Sequence, residues 1–129
     1  MLPNLNGYQS YQKNKYETAS PHRLITMLYE GAIRFANQAI IHIENNDIAQ
    51  KSIAIQKFQD IIFELISCLN FKEGKEISSN LLSLYNYVIE LSTKSSVTKT
   101  TAPLQEAIQV ITEIKDAWVE IGKDVQMNG

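Results

Sequence analysis

The stretch TASPHRLITMLYEGAIRFANQAI, residues 18–40, decides the fold of this chain. Ser20 followed by Pro21 is a helix start: the serine hydroxyl accepts from an orphan N–H of the first turn. Proline at the first helical position forfeits nothing, because its missing N–H has no intrahelical partner. Thr18 is an alternative cap. Behind them Leu24, Leu28, Ala32, Phe35, Ala39 and Ile43 recur at steps of three and four, one stripe of a helix. Ile25, Tyr29, Ala36 and Ile40 widen it, and Met27, Ile33 and Ile41 fall on its flanks or beyond. The stripe is broader than a surface helix needs against one core. The helix is therefore contacted on two sides, or part of it meets another chain.

Three further segments repeat the pattern. The second starts at Asp47, with Gln50 as the return half of a capping box. It carries Ile55, Phe58, Ile62, Leu65, Ile66 and Leu69 and ends near Asn70. Gly74 breaks the following turn, NFKEGKE. The third carries Ile77, Leu81, Leu84, Tyr85, Val88 and Leu91 and fades in STKSSVTKTT, residues 92–101, a run of poor helix formers. The fourth begins at Pro103, with Thr100 or Thr101 as cap, and runs through Leu104, Ala107, Ile108, Ile111, Ile114, Trp118 and Ile121. Gly122 falls near its end. Nothing alternates with the period of a strand. The expected fold is all-α, an antiparallel up-down four-helix bundle over 18–126. An N-terminal capping arm spans 1–17, and a frayed tail spans 127–129. The longest loop is expected after the third helix.

Composition narrows the function. The chain has 129 residues and a net charge of -2, without a basic run. Duplex binding needs clustered Lys and Arg, so nucleic acid is not the expected partner. Cys68, the only cysteine, sits in an apolar run and reads as a buried hydrophobe in a reducing compartment. No uncharged apolar run is long enough to span a bilayer, and no secretory signal is visible, so a cytoplasmic protein without membrane insertion is expected. A di-metal bundle would place a Glu three residues before a His. His22 follows Ala19 and His42 follows Ala39, so no metal or other cofactor is expected. Neither histidine sits as a phosphotransfer residue would: His42 precedes the acidic IENND and His22 lies in the first helical turn. The chain reads as a binding protein, not an enzyme.

Apolar residues exceed what one core uses: Ile53, Ile61 and Phe63 on the second helix, Leu82 and Ile89 on the third, Val110 and Val119 on the fourth. Grooves with apolar walls accept an amphipathic or extended partner segment. Leu2, Leu5, Tyr8, Tyr11 and Tyr16 give the arm the bodies to lie over such a groove. The expected groove is lined by Ile55, Phe58, Ile62, Phe63, Leu65 and Ile66, with Val110, Ile114 and Trp118 opposite, and the arm contributes Leu5, Tyr8 and Tyr11.

These residues resemble a known family. YQ at 11–12, TASPHRLITMLYEGAIRFANQA, DIIFELISCLNFKEGKEISSNLLSLYNYV and EIKDAWVEI are similar, in order and spacing, to the flagellar secretion chaperone family (FliS). Ser20, Pro21, Leu28, Tyr29 and Gly31 form the most specific part. The resemblance implies a four-helix bundle with an N-terminal cap that binds the disordered C-terminal segment of flagellin in the cytoplasm and keeps it competent for export. It also implies docking on the export-gate membrane protein and, in some members, contact with the anti-sigma factor. The free protein is expected to be a monomer. A regulatory adaptor for another flagellar protein is the alternative. The chain departs from the family pattern in three places: Gly74-Lys75 stands for a double glycine, IELSTKSSV for a basic, Asn-rich segment, and TAPLQEAIQV for a start with an acidic pair.

Overall fold

A computed structural model of the chain describes residues 19–128, with side chains to Lys123. Four helices follow one another: α1 Pro21–Glu44, α2 Ile48–Ser67, α3 Phe71–Thr98 and α4 Ala102–Asn128. The expected arm over 1–17, with Leu5, Tyr8 and Tyr11, and the alternative cap Thr18 lie outside the described residues. So does Gly129 of the expected tail, while α4 extends to Asn128.

The N-cap acceptors of the first three helices are those the local sequence dictates, but the return half of the capping box does not form: Asp47 N donates to His42 O at 2.9 Å rather than to the Gln50 side chain. Ser20 Oγ accepts from Arg23 N at 3.1 Å, with Pro21 opening α1. Asp47 Oδ1 accepts from Gln50 N at 3.1 Å, and Asn70 Oδ1 from Glu73 N at 3.0 Å. Each helix packs on its sequence neighbours, and α4 closes the ring on α1. Joined by short turns, they form an up-down antiparallel bundle.

The core explains the breadth of the α1 stripe. Its centre is Tyr29, Ala32, Ala36, Ala39 and Ile43, all buried. Three of these are alanines with no exposed surface, which lets neighbouring backbones approach closely. Leu28, Phe35 and Ile40 are partly buried flanks packed on the same core. Met27 is buried, not on the flank. The helix is broad because α2 lies on one side and α4 on the other.

Three expectations change. First, α3 does not fade at STKSSVTKTT; it continues to Thr98, and only Lys99–Thr101 separate it from α4. Ser92 and Ser95 are fully buried there, small enough for α4 and α2 to close on them. Ser92 Oγ bonds Ile89 O, and Ser95 Oγ accepts from Leu104 N at 2.9 Å. Ser95 thus satisfies a first-turn N–H of α4 that Thr100 or Thr101 was expected to cap. Tertiary bonding overrides weak propensity. Second, Gly74 does not end a turn: residues 71–74 already form the first turn of α3, and the chain breaks at Lys75, with φ 47° and ψ −115°. Third, Cys68 is exposed, as the C-cap of α2.

Candidate functional site

Five of the large exposed apolar side chains among the described residues, Phe63, Ile77, Leu84, Tyr87 and Ile121, lie along the two seams that flank α3. On the α4 side, Tyr87 Oη donates to the Glu106 carboxylate, which places these two residues opposite each other across the seam. The negative partner raises the Tyr87 phenol above its ordinary range. One turn back along α3 from Tyr87 stands Leu84; one turn forward along α4 from Glu106 stands Val110. Continuing in these opposite directions gives Ile77 and Leu81 on α3 and Ile114 and Ile121 on α4. Ile77 is 69% exposed and Ile121 53%, while Leu84 and Tyr87 are near 40%. Val110, Ile114 and Leu81 are half-buried beneath them. Nearer the α3 C-terminus the same seam is shut, since Leu91, Leu104 and Ala107 are buried. The seam is therefore an apolar trough, closed at one end and open toward the α3 N-terminus.

The α2 side carries a second tract. Gln59 Nε2 donates to Ser92 Oγ at 2.9 Å and Thr93 Oγ1 at 3.0 Å, tying α2 to α3. Within two turns beyond Gln59 stand Phe63, 53% exposed, and Ile66, half-buried. Ile89 and Leu82 descend α3 opposite them, also half-buried.

This geometry sorts the residues expected to line the groove. Phe63, Ile66, Val110 and Ile114 lie on the two seams. Ile55, Phe58, Ile62 and Leu65 do not: each is at most 6% exposed and belongs to the core. The reason is the helical period. The strongest stripe of α2 is the one its own bundle consumes, and a partner meets the weaker residues beside it. Leu84, Ile77 and Ile121 escape the sequence reading as seam residues for the same reason: all three belong to the core stripes by spacing, yet each sits at the edge of its stripe. Their offset from buried Tyr85, Ser78 and Gly122 is the sequence signal that marks them.

Trp118 faces α1. Its Nε1 donates to His22 O at 3.0 Å, and His22 Nε2 donates back to Trp118 O at 2.6 Å. The rings stack with centroids 4.6 Å apart and planes 8° from parallel. His22 lies in the first helical turn as expected, but it is half-buried and bonded to α4 rather than left to solvent. Gly122 makes room for it, since a Cβ there would stand 2.1 Å from the imidazole. This clasp ties the first turn of α1 to α4 and leaves Trp118 half-buried beside the trough.

The motif of α1 holds the frame. Tyr29 Oη and Tyr85 Oη share a buried 2.7 Å hydrogen bond across the bundle diagonal. Burial raises both phenols. Gly31 is buried where a Cβ would come within 3.1 Å of Ile61 Cδ1 on α2. Leu28 packs on the core from its flank, and Ser20 and Pro21 start the helix. Among the described residues no group of three or more His, Cys, Asp or Glu is placed to hold a metal ion. No helix among them is long and apolar enough to cross a membrane.

Comparison with known proteins agrees with this frame. Residues 4–125 match the family described as "Flagellar protein FliS". A flagellar secretion chaperone FliS from Campylobacter jejuni is 32% identical over 120 residues, covering 93% of this chain and 94% of its own length. The Bacillus subtilis flagellar secretion chaperone FliS is 34% identical over 113 residues, 88% of this chain and 84% of that protein. A crystal structure of a flagellar chaperone from bacteria superimposes with a TM-score of 0.75 at 20% identity, covering 95% of this chain and 99% of that one; it shares the fold.

Proposed function

Because this chain belongs to the flagellar protein FliS family, we propose that it is a flagellar secretion chaperone whose cargo is the C-terminal segment of flagellin. The observation that carries the reading is the open apolar trough between α3 and α4. Exposed apolar surface of this kind on a folded chain marks a partner site. A long groove suits a cargo that is disordered when free, because such a segment must recover its ordering entropy through contact.

Magnitudes favour use of both seams. Fully burying one large apolar side chain contributes about 1.5–3 kcal/mol. Ile77, Leu84, Tyr87 and Ile121 are each roughly half exposed, so covering them yields about 4 kcal/mol. Ordering a disordered segment costs about 2–5 kcal/mol. The trough alone nearly cancels against that cost, and the second tract at Phe63 and Ile66 supplies the surplus. A cargo reaching both seams wraps α3 and buries its own apolar residues away from other subunits. That is the physical content of holding an export substrate monomeric in the cytoplasm.

In this reading the segment 1–17 is a cap apart from the bundle over 18–126, and its Leu5, Tyr8 and Tyr11 compete with cargo for the seams. Competition lowers apparent affinity by the fraction of time the site is covered, which suits a chaperone that must let go. The chaperone works as a monomer without catalysis and hands its cargo to the export-gate membrane protein. Contact with the anti-sigma factor belongs to the same reading. Calorimetric titration with the C-terminal segment of a flagellin from the same organism tests it. Saturable 1:1 binding with a negative heat-capacity change is expected. Absence of heat with that segment, alongside binding to another flagellar protein, would replace it with the adaptor reading.

A further inference from the structure

At the end of the bundle away from the open trough, the C-termini of α1 and α3 meet the N-terminus of α2 around a shallow, solvent-open recess. His42, Ile43, Asn46, Asp47, Ile48, Lys51 and Lys99 line it. Lys51 is the only charged side chain among the described residues that the fold buries, at 6% exposure. Its ammonium donates to Ser96 O at 3.1 Å. An ammonium has three N–H donors, and no carboxylate stands within 4 Å of this one among the described residues. The last turn of α3 thus supplies one neutral acceptor to a group that could use three. The single acid in the lining, Asp47, is engaged as the cap of α2. Lys99 turns into the same recess from a left-handed C-cap position, φ 57°. The formal side-chain charges in the lining are two lysines against one aspartate. Ile43 and Ile48 form apolar walls, and Ile48 is more than half exposed.

We propose that this recess binds the C-terminal carboxylate of a polypeptide whose last residue is aliphatic. The carboxylate takes the free donors of Lys51 and the Lys99 ammonium, and the aliphatic side chain lies on Ile43 and Ile48. Charge-assisted bonds of this kind are the strong ones, and terminal carboxylate capture is a recurrent mode of peptide recognition. A polypeptide fits better than a free small acid, because Ile48 in the lining, more than half exposed, offers surface to the residue before the last. The site lies at the far end of the bundle from the open trough, so it takes a different segment or partner from the one the seams hold.

The test is a nuclear magnetic resonance titration of the full chain with acetyl-Ala-Ala-Ile as the free acid. Its C-terminal amide, N-acetyl-isoleucine and inorganic phosphate are run beside it. The free-acid peptide should shift the backbone amides of residues 42–51 and 96–99 saturably, and the amide should not. Equal shifts from the amide would overturn the charge reading. Equal affinity for N-acetyl-isoleucine would overturn the polypeptide source, and equal affinity for phosphate would overturn the aliphatic one. No saturable shift with any probe would overturn the site. Lys51→Met should weaken the peptide about tenfold, the equivalent of one charge-assisted bond. Since Lys51 also holds the end of α3, Lys99→Asn is the companion variant: asparagine tolerates the left-handed backbone. Unchanged affinity in Lys99→Asn would contradict the assignment even if Lys51→Met failed to fold.

Discussion

The hydroxyls of Tyr29 and Tyr85 meet 2.7 Å apart in the core and join the diagonal helices α1 and α3. Each phenol is the other's buried partner, which makes the pair sensitive to the loss of one member. Tyr29→Phe or Tyr85→Phe leaves a buried hydroxyl unsatisfied and should cost about 1–3 kcal/mol. The double Phe variant should recover much of that loss. Denaturant unfolding of the four proteins measures the coupling, and simple additivity would show the bond to be idle.

The same pair sets an alkaline limit. Burial raises both phenols in the folded state. The unfolded chain releases these protons near pH 10, whereas the native state retains them. Their contribution is therefore complete below about pH 10 and is lost as pH rises through the folded values. The thermal midpoint should fall above that pH in the wild type and fall less in Tyr29→Phe/Tyr85→Phe.

Lys75 holds φ 47° and ψ −115°, a combination that only glycine adopts without strain. Lys75→Gly should therefore stabilise by about 1 kcal/mol, relieved strain outweighing the added freedom of the unfolded chain. Gly74→Ala should do the reverse, because its Cβ would stand 2.1 Å from Ser78 Oγ, which is bonded to Asn70 O. Chemical denaturation midpoints of the two variants should move in opposite directions.

Gly31 and Gly122 mark close approaches rather than turns. Gly31→Leu must displace Ile61 and α2, at about 1–3 kcal/mol for overpacking. An unchanged thermal midpoint would remove this reading of the motif. Gly122→Ala drives a methyl into the His22 ring and should break the clasp, seen as a red shift in the fluorescence of Trp118, the only tryptophan.

What the sequence reveals and conceals follows one physical line. Caps and stripes are local, so Ser20, Asp47 and the four helices are legible from spacing alone. The serines of α3 are not, because Ser92 and Ser95 are helical only through partners on α2 and α4. His22 and Trp118 stand 96 positions apart, and no local signal joins them. The groove was legible as an excess of apolar residues, yet its core and surface members were confused. Phe58 and Ile62 lie at the centre of their stripe and Phe63 at its edge, and only packing tells which of them a partner can reach.

The central claim is that cargo occupies the seams flanking α3. The most direct measurement is the affinity of Leu84→Asp/Val110→Asp for the flagellin C-terminal segment, beside the wild type and the control Ile53→Asp. Leu84 and Val110 line the trough, while Ile53 is an exposed residue on the outer face of α2. At least a tenfold loss, about 1.4 kcal/mol, is expected for the trough variant, with its fold intact by circular dichroism and the control unaffected. Wild-type affinity in a folded trough variant would contradict it.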